Sequence, residues 1–265
     1  MRYSRAARRW VFVCLLALTA SPALSAQSTE ADIKARLVHK PLFLRGRWAN
    51  DNLKFDPDGN LIGNSRPLVF TLAGIDVDRV KLSSKSLDIR GKRVGIAFSK
   101  DVPQRKAVNF YVSITVQKPA SGDFTDVLNA IFVEDLPHMV PYVPRYWQPY
   151  LAAHFPVAGM TPPPERPDST VRKVAGSVTV PEVIRKTEPE FNNVARELRY
   201  SGISTVSLVI DPSGRPEDIR VLHPIGLGLD DLAVAAVSQY VFKPAMDGGK
   251  PVPVRVNIEV NFEIR

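Results

Sequence analysis

The sequence predicts an α+β protein with two domains. Its amino-terminal part is mainly β, and its carboxy-terminal part has two helices and a three-stranded antiparallel sheet. Two observations carry this prediction: apolar residues alternate along most of the chain, and two segments near the end switch to helical spacing. The 265 residues, 45% of them hydrophobic and 23% charged, suffice for two modest cores.

The first 26 residues have the three-part organisation of a secretory signal peptide. An arginine-rich start precedes an apolar run over residues 10–20, and small residues follow as far as Ala26. A membrane-spanning helix needs about 20 apolar residues, whereas Ser21 and Pro22 interrupt this run at about half that length. We predict export with cleavage near Ser25 or Ala26, and an uncleaved membrane anchor is the alternative.

Charge and cysteine content narrow the possible chemistry. The single cysteine, Cys14, lies in the apolar run, so the mature chain has no disulfide, thiolate metal site or cysteine nucleophile. Cleavage also removes four arginines and lowers the formal charge from +8 to +4. Residues 181–265 carry 10 basic and 12 acidic side chains. We therefore predict no nucleic-acid partner.

Proline marks the division between the domains. Eleven of the 23 prolines lie between Pro137 and Pro189, and proline fixes φ while removing an amide donor. We predict a mainly β domain over residues 27–157, an exposed proline-rich linker over 158–180 and a second domain over 181–265.

The first domain is predicted to consist mostly of antiparallel hairpins with one covering helix. Residues 56–60 form a turn, residues 108–117 alternate through Phe110 and Val112, and residues 123–134 have helical spacing. The aromatic segment 142–150 has two interpretations. It either presents a surface for a peptide, glycan or lipid, or packs on the core of this domain.

The second domain has the order helix, strand, strand, helix, strand. Its predicted elements are a short helix from Phe191, strands over residues 205–210 and 217–222, a helix over 229–240 and a last strand over 252–264. The last strand alternates strictly and spans about 13 residues, well beyond the usual five or six. We expect part of it to overhang its partner and leave an open edge.

Several spaced motifs in this domain resemble the carboxy-terminal domain of the TonB energy-transducer family. The resemblance covers about 80 residues and rests on the motifs Asp211-Pro212-Ser213-Gly214, Leu229-Asp230, Tyr240-Val241-Phe242-Lys243-Pro244-Ala245 and Gly248-Gly249-Lys250-Pro251-Val252. Each motif also has a structural role as a turn, a helix end or a core residue.

The resemblance implies a periplasmic protein of a Gram-negative bacterium that binds a partner by β-strand addition. The implied partner is the TonB-box segment of an outer-membrane TonB-dependent receptor or another envelope protein. Arg255, Asn257, Glu259 and Asn261, on the polar face of the last strand, are the predicted partner-binding residues, with a solvated face of no function as the alternative. Pairing of the last strand with its own copy would give a homodimer.

The remaining expectations concern force transmission and catalysis. Energised members of the family have a long anchor with a histidine, which the run over residues 10–20 lacks, so we expect a member that binds without transmitting force. We name no catalytic residue, metal ligand or cofactor, because the sequence has no nucleophile or nucleotide motif and its four histidines are dispersed. The alternatives are an inner-membrane energy transducer and a periplasmic enzyme with a TonB-like docking module.

Overall fold

The structure is a computed structural model that describes residues 27–157 and 170–264. The predicted signal peptide lies outside the described residues, as do residues 158–169 of the predicted linker. The described part combines helices with a larger share of strands, which confirms the α+β class.

One mixed sheet organises the amino-terminal part. Its elements are α1 (Glu30–Leu37), β1 (Leu42–Leu44), β2 (Asn52–Phe55), β3 (Gly74–Leu82), β4 (Ser86–Ser99), β5 (Val102–Gln117), α2 (Thr125–Ile131), β6 (Phe132–Val133) and α3 (Gln148–His154). The strand order is β2-β5-β4-β3-β1-β6, with only the β2–β5 pair parallel. The covering helix predicted over residues 123–134 is α2, which ends at Ile131 because the next two residues pair with β1.

Alternation predicts the buried residues at the end of β5 except at one point. Val112, Ile114 and Val116 of β5 are buried as expected, whereas Phe110, predicted on the same face, is 42% exposed. The ladder between β4 and β5 shifts register there: Lys92 pairs with Tyr111 and Val94 with Ala107. Three β5 residues therefore oppose one β4 residue, Arg93, in a β-bulge larger than the usual two-to-one kind.

The carboxy-terminal part contains the predicted order of helices and strands with several short additions. Its elements are β7 (Glu182–Arg185), α4 (Asn193–Glu197), β8 (Gly202–Ile210), β9 (Pro216–His223), α5 (Leu229–Val237), β10 (Val241–Lys243), β11 (Ala245–Asp247), β12 (Lys250–Val252) and β13 (Val254–Phe262). The main sheet is antiparallel in the order β13-β8-β9, and it packs with α4 and α5 around one core. The additions pair locally, β7 with β10 and β11 with β12.

The prediction of a single overhanging last strand is wrong. Gly248 and Gly249, both at positive φ, turn the chain so that β12 folds back on β11. Pro253 separates β12 from β13. The remaining nine residues of β13 all pair with β8, from Val254 opposite Ile210 to Phe262 opposite Gly202.

The two parts of the protein meet through backbone hydrogen bonds. The loop between β9 and α5 lies along β4: the Leu227 N–H donates to the Ile96 carbonyl at 2.8 Å, and the Phe98 N–H donates to the Ile225 carbonyl at 2.9 Å. Gly226 forms an isolated bridge with Ala97 between these two bonds. The loop thus acts as a short extra strand against the amino-terminal sheet.

The aromatic segment lies at the same junction. Trp147 and Tyr150 are buried in a core cluster that includes Val221 of β9. Two side chains of the segment donate to Asp231 on α5: the Tyr146 hydroxyl to Oδ1 at 2.7 Å and the Trp147 Nε1–H to Oδ2 at 3.4 Å. For Trp147 and Tyr150 the packing interpretation is therefore correct, and these rings join the two parts.

We expect Gly226→Ala to destabilise the protein strongly. Gly226 has φ +87°, and an added Cβ would lie 2.1 Å from the Ile96 carbonyl oxygen. The substitution imposes positive-φ strain of about 1–2 kcal/mol and also disrupts the neighbouring hydrogen bonds, each worth about 1 kcal/mol.

Gly63→Ala is the matched control, because Gly63 also has positive φ but no atom within 4 Å of an added Cβ. In urea denaturation, Gly226→Ala is expected to lower the free energy of unfolding by at least about 2 kcal/mol more than Gly63→Ala does. Equal losses would contradict the close approach of the loop to β4.

Candidate functional site

The outer edge of β13 is the open edge of the carboxy-terminal sheet. Its other edge pairs with β8 along its whole length. At its start, Arg172 forms a parallel bridge with Val254, and the Arg172 N–H donates to the Pro253 carbonyl at 2.8 Å. Beyond that point, no strand among the described residues pairs with this edge.

The direction of that hydrogen bond fixes which backbone groups face outward. The Pro253 carbonyl points away from β8, and successive residues of a strand alternate in the side to which their N–H and C=O groups point. Residues 255, 257, 259 and 261 therefore present their backbone groups at the outer edge. These four positions are those of the predicted partner-binding residues.

A groove of about 550 Å³ runs beside the end of this edge. Its walls come from β13 and from the segment between β7 and α4; the lining residues are Lys186, Glu188, Pro189, Phe191, Glu259, Val260, Asn261, Phe262 and Glu263. The rings of Phe191 and Phe262 meet edge to face at 5.9 Å between centroids and form an apolar floor.

The charge of the groove is acidic. Lys186 Nζ lies 3.3 Å from Glu188 Oε1, and this pair is exposed. Glu259 and Glu263 add two further carboxylates, the second of which accepts a hydrogen bond from Asn261 Nδ2 at 2.6 Å. One lysine therefore stands against three glutamates.

The four predicted partner-binding residues have different surroundings. Asn257, Glu259 and Asn261 are exposed on β13, and the last two line the groove. Arg255 is partly buried, and its Nη2 donates to Asp218 Oδ2 at 2.7 Å. Their role in partner binding stays a prediction.

Asp218 is the centre of a charge cluster on β9. Burial tends to raise the pKa of Asp218, but hydrogen bonds from Arg255 and Arg220 outweigh burial and hold that pKa below its usual value. Arg220 Nη2 lies 2.7 Å from Asp218 Oδ2. Arg255 is therefore already engaged inside the domain.

Sequence reasoning missed one wall of the groove. Lys186, Glu188 and Pro189 precede α4 in a segment without periodicity. Phe191 is where the first helix of this domain was predicted to begin, but α4 begins at Asn193 with Asn192 as its cap, which leaves the Phe191 ring to contact Phe262. The proline at 189 was the available signal of an extended segment.

Asp230 is a buried carboxylate behind the site, at the start of α5. It accepts hydrogen bonds from the Ser204 hydroxyl at 2.7 Å, the Ile225 N–H at 2.9 Å and the Gly226 N–H at 2.7 Å. Burial raises the pKa of Asp230 to about 7, although these three donors favour the ionised form. These hydrogen bonds indicate that Asp230 holds the β9–α5 loop in place.

Within residues 27–157 and 170–264, no group of three or more histidine or acidic side chains is placed to hold a metal ion. No helix in that part of the chain is long and apolar enough to cross a membrane.

The fold and open edge define an α+β domain with a three-stranded antiparallel sheet. The family model described as "Gram-negative bacterial TonB protein C-terminal" matches residues 187–264. Residues 187–264 therefore form a TonB C-terminal domain, which confirms the resemblance in the sequence. The match ends there, and residues 27–157 lie outside it.

A comparison with solved structures found similar chains. The solution NMR structure of the Pseudomonas aeruginosa TonB CTD is similar at 22% sequence identity and a TM-score of 0.27, covering 36% of this chain and 96% of that one. A comparison with curated proteins gave no match.

We expect Asp230→Asn to remove a pH dependence of stability. Because the folded-state pKa of Asp230 is raised to about 7, its contribution to stability is complete below about pH 4 and is lost as pH rises through 7. The free energy of unfolding of the wild type should fall relative to the variant over this window, at up to about 1.4 kcal/mol per pH unit.

Urea denaturation between pH 4 and pH 8 measures this difference. The asparagine leaves at least one backbone N–H without an acceptor, which adds a constant loss of about 1–3 kcal/mol but no slope. Asp58→Asn, which removes an exposed turn carboxylate, is the control for the substitution itself. If the free energy of unfolding changed with pH in parallel for the wild type and Asp230→Asn, the raised pKa of Asp230 would be refuted.

Proposed function

We propose that the protein acts in the periplasm as a TonB-type binding protein related to TonB-dependent transport. In this proposal, the outer edge of β13 takes up an extended segment of an outer-membrane TonB-dependent receptor as an additional strand. The observation that carries the proposal is the unpaired outer edge beside the groove. The domain is a TonB C-terminal domain, which is consistent with this partner.

Backbone hydrogen bonds supply affinity that does not depend on the side chains of the bound segment. From Arg255 to Phe262 the edge spans roughly 20–25 Å at about 3.3 Å per residue. This length accommodates a strand of the usual five or six residues. The outward N–H and C=O groups of residues 257, 259 and 261 are the hydrogen-bonding positions. The partly buried Phe191 ring, which packs against the buried Phe262, offers an apolar contact.

Charge supports a bound segment that is neutral or basic. Glu188 is paired with Lys186, whereas Glu259 and Glu263 have no cationic partner among the described residues. A basic residue in the incoming segment would find complementary charge there, which favours encounter and selects against acidic segments.

The proposed role is binding rather than catalysis or force transmission. The feature that defines the site is a row of backbone groups, and such a row recognises another strand. The domain is also fixed to the amino-terminal part by backbone hydrogen bonds and by Asp231. This attachment supports a docking module held in a defined orientation.

Glu259→Pro is expected to abolish strand addition. Proline removes the outward N–H at this position, while the pairing of β13 with β8 uses the residues on either side. Affinity for synthetic peptides carrying a TonB-box-type segment, measured by isothermal titration calorimetry, should fall at least tenfold. Circular dichroism checks that the domain remains folded.

Glu259→Ala is the matched control, because it removes the carboxylate but keeps the N–H. It should retain binding of neutral peptides and weaken that of basic peptides by a few fold. Equal loss in both variants would assign binding to the side chain and reject strand addition. A concentration-dependent mass that Glu259→Pro abolishes would show that the edge pairs with a second copy.

The periplasmic assignment predicts a processed amino terminus. Intact mass spectrometry of the native protein should show a chain starting near Ala26 or Gln27, recovered in the periplasmic fraction. A membrane-embedded chain that retains residues 10–20 would instead support an inner-membrane energy transducer.

A further inference from the structure

A second cavity lies between the amino-terminal sheet and α4, away from the groove. Its volume is about 230 Å³, and its lining residues are Ala49, Asp51, Leu68, Leu72, Arg93, Val108, Phe110 and Val194. None of these residues lines the groove beside β13. Drug-sized ligands occupy pockets of about 300–1,000 Å³, so this cavity suits a smaller molecule.

Arg93 is an unusual residue for such a cavity. It is only 5% exposed, and its Nη2 donates to the carbonyl oxygens of Trp48 at 2.5 Å and Asn50 at 3.1 Å. Its Nη1 is buried and has no hydrogen-bond partner among the described residues. A buried donor without an acceptor is costly and rare in native proteins, and a charged one more so.

The bulge in the β4–β5 ladder creates the space around Arg93. Arg93 alone opposes residues 108–110 of β5, which opens the ladder at this point. Bulges of this kind reorient side chains and are frequent next to functional sites. Val108 and Phe110, on the bulged strand, therefore line the cavity together with Arg93.

Apart from Asp51, the remaining walls are apolar, and one of them is exposed. Leu68, Leu72 and Val194 contribute hydrocarbon surface. Phe110 is 42% exposed at the rim, so part of its ring contacts solvent. A cationic donor at one end of an apolar cavity matches an amphiphile with an anionic head.

We propose that this cavity binds a small monocarboxylate with an apolar tail. The carboxylate accepts a hydrogen bond from Arg93 Nη1, and the tail lies against Leu68, Leu72 and Phe110. Asp51 lines the same cavity and its charge acts on Arg93, so the site suits a ligand with a single negative charge better than a dianion such as a phosphate.

The position of the cavity links the ligand to the junction of the two parts. Val194 belongs to α4 of the TonB C-terminal domain, whereas the other lining residues belong to the amino-terminal part. Leu72 also packs against Leu227 of the β9–α5 loop. A ligand that contacts both parts stabilises the docked arrangement by mass action.

Titration of octanoate into the full chain by isothermal titration calorimetry tests the proposal. Octanoate should bind and raise the melting temperature, whereas 1-octanol, which lacks the carboxylate, should bind at least about tenfold more weakly. Acetate, which lacks the tail, should not bind measurably. Equal affinity for octanoate and 1-octanol, or no binding of octanoate at millimolar concentration, would overturn the proposal.

Three variants localise the site. Arg93→Met keeps the apolar stem and should reduce octanoate affinity at least about tenfold. Phe110→Ala changes an exposed rim residue and should reduce it severalfold. Tyr111→Ala is the matched control, because Tyr111 is equally exposed but its ring contacts Arg90 on a different surface.

Phe110→Ala decides the outcome if Arg93→Met fails to fold, because an exposed ring can be removed without unfolding the sheet. Unchanged affinity in Phe110→Ala, or equal losses in Phe110→Ala and Tyr111→Ala, would refute the location. Glu259→Pro should leave octanoate binding intact, so failure of strand addition and failure of this proposal are distinguishable.

Discussion

The buried carboxylate of Asp230 is the interaction on which the arrangement of the protein depends. It accepts the N–H groups of Ile225 and Gly226, and it is tied to β8 through Ser204. The same loop then uses its remaining backbone groups to bond with Ile96 and Phe98 of β4. The Asp230 side chain therefore holds the β9–α5 loop in the conformation that pairs with β4.

This docking determines which edge of the carboxy-terminal sheet is available. The sheet has two edges, β9 and β13. The β9 edge is engaged by the amino-terminal part, because the Val221 N–H donates to the Tyr146 carbonyl at 2.9 Å and the Val221 side chain is buried in the shared core. The proposed strand addition is therefore assigned to the outer edge of β13.

Local patterns in the sequence predicted the elements but not the junction. Alternation placed Val254, Val260 and Phe262 on the buried face of β13, because period two is a property of the strand itself. The contact of Tyr146 with Asp231 joins residues 85 positions apart and leaves no periodic trace. The same holds for the cavity, since the bulge opposite Arg93 depends on the register of two strands.

The polar face of β13 was predictable from the sequence, but the separate roles of its backbone groups and its side chains were not. Side chains of a strand stand perpendicular to the sheet, whereas its N–H and C=O groups point sideways from the strand, in the plane of the sheet. A partner strand therefore pairs with the edge first and meets side chains only on the face they share. Arg255 is held by Asp218, so the proposed strand addition leaves selectivity on that face to Asn257, Glu259 and Asn261, of which the last two line the groove. In that proposal, the charge of Glu259 discriminates between segments that the backbone alone would bind equally.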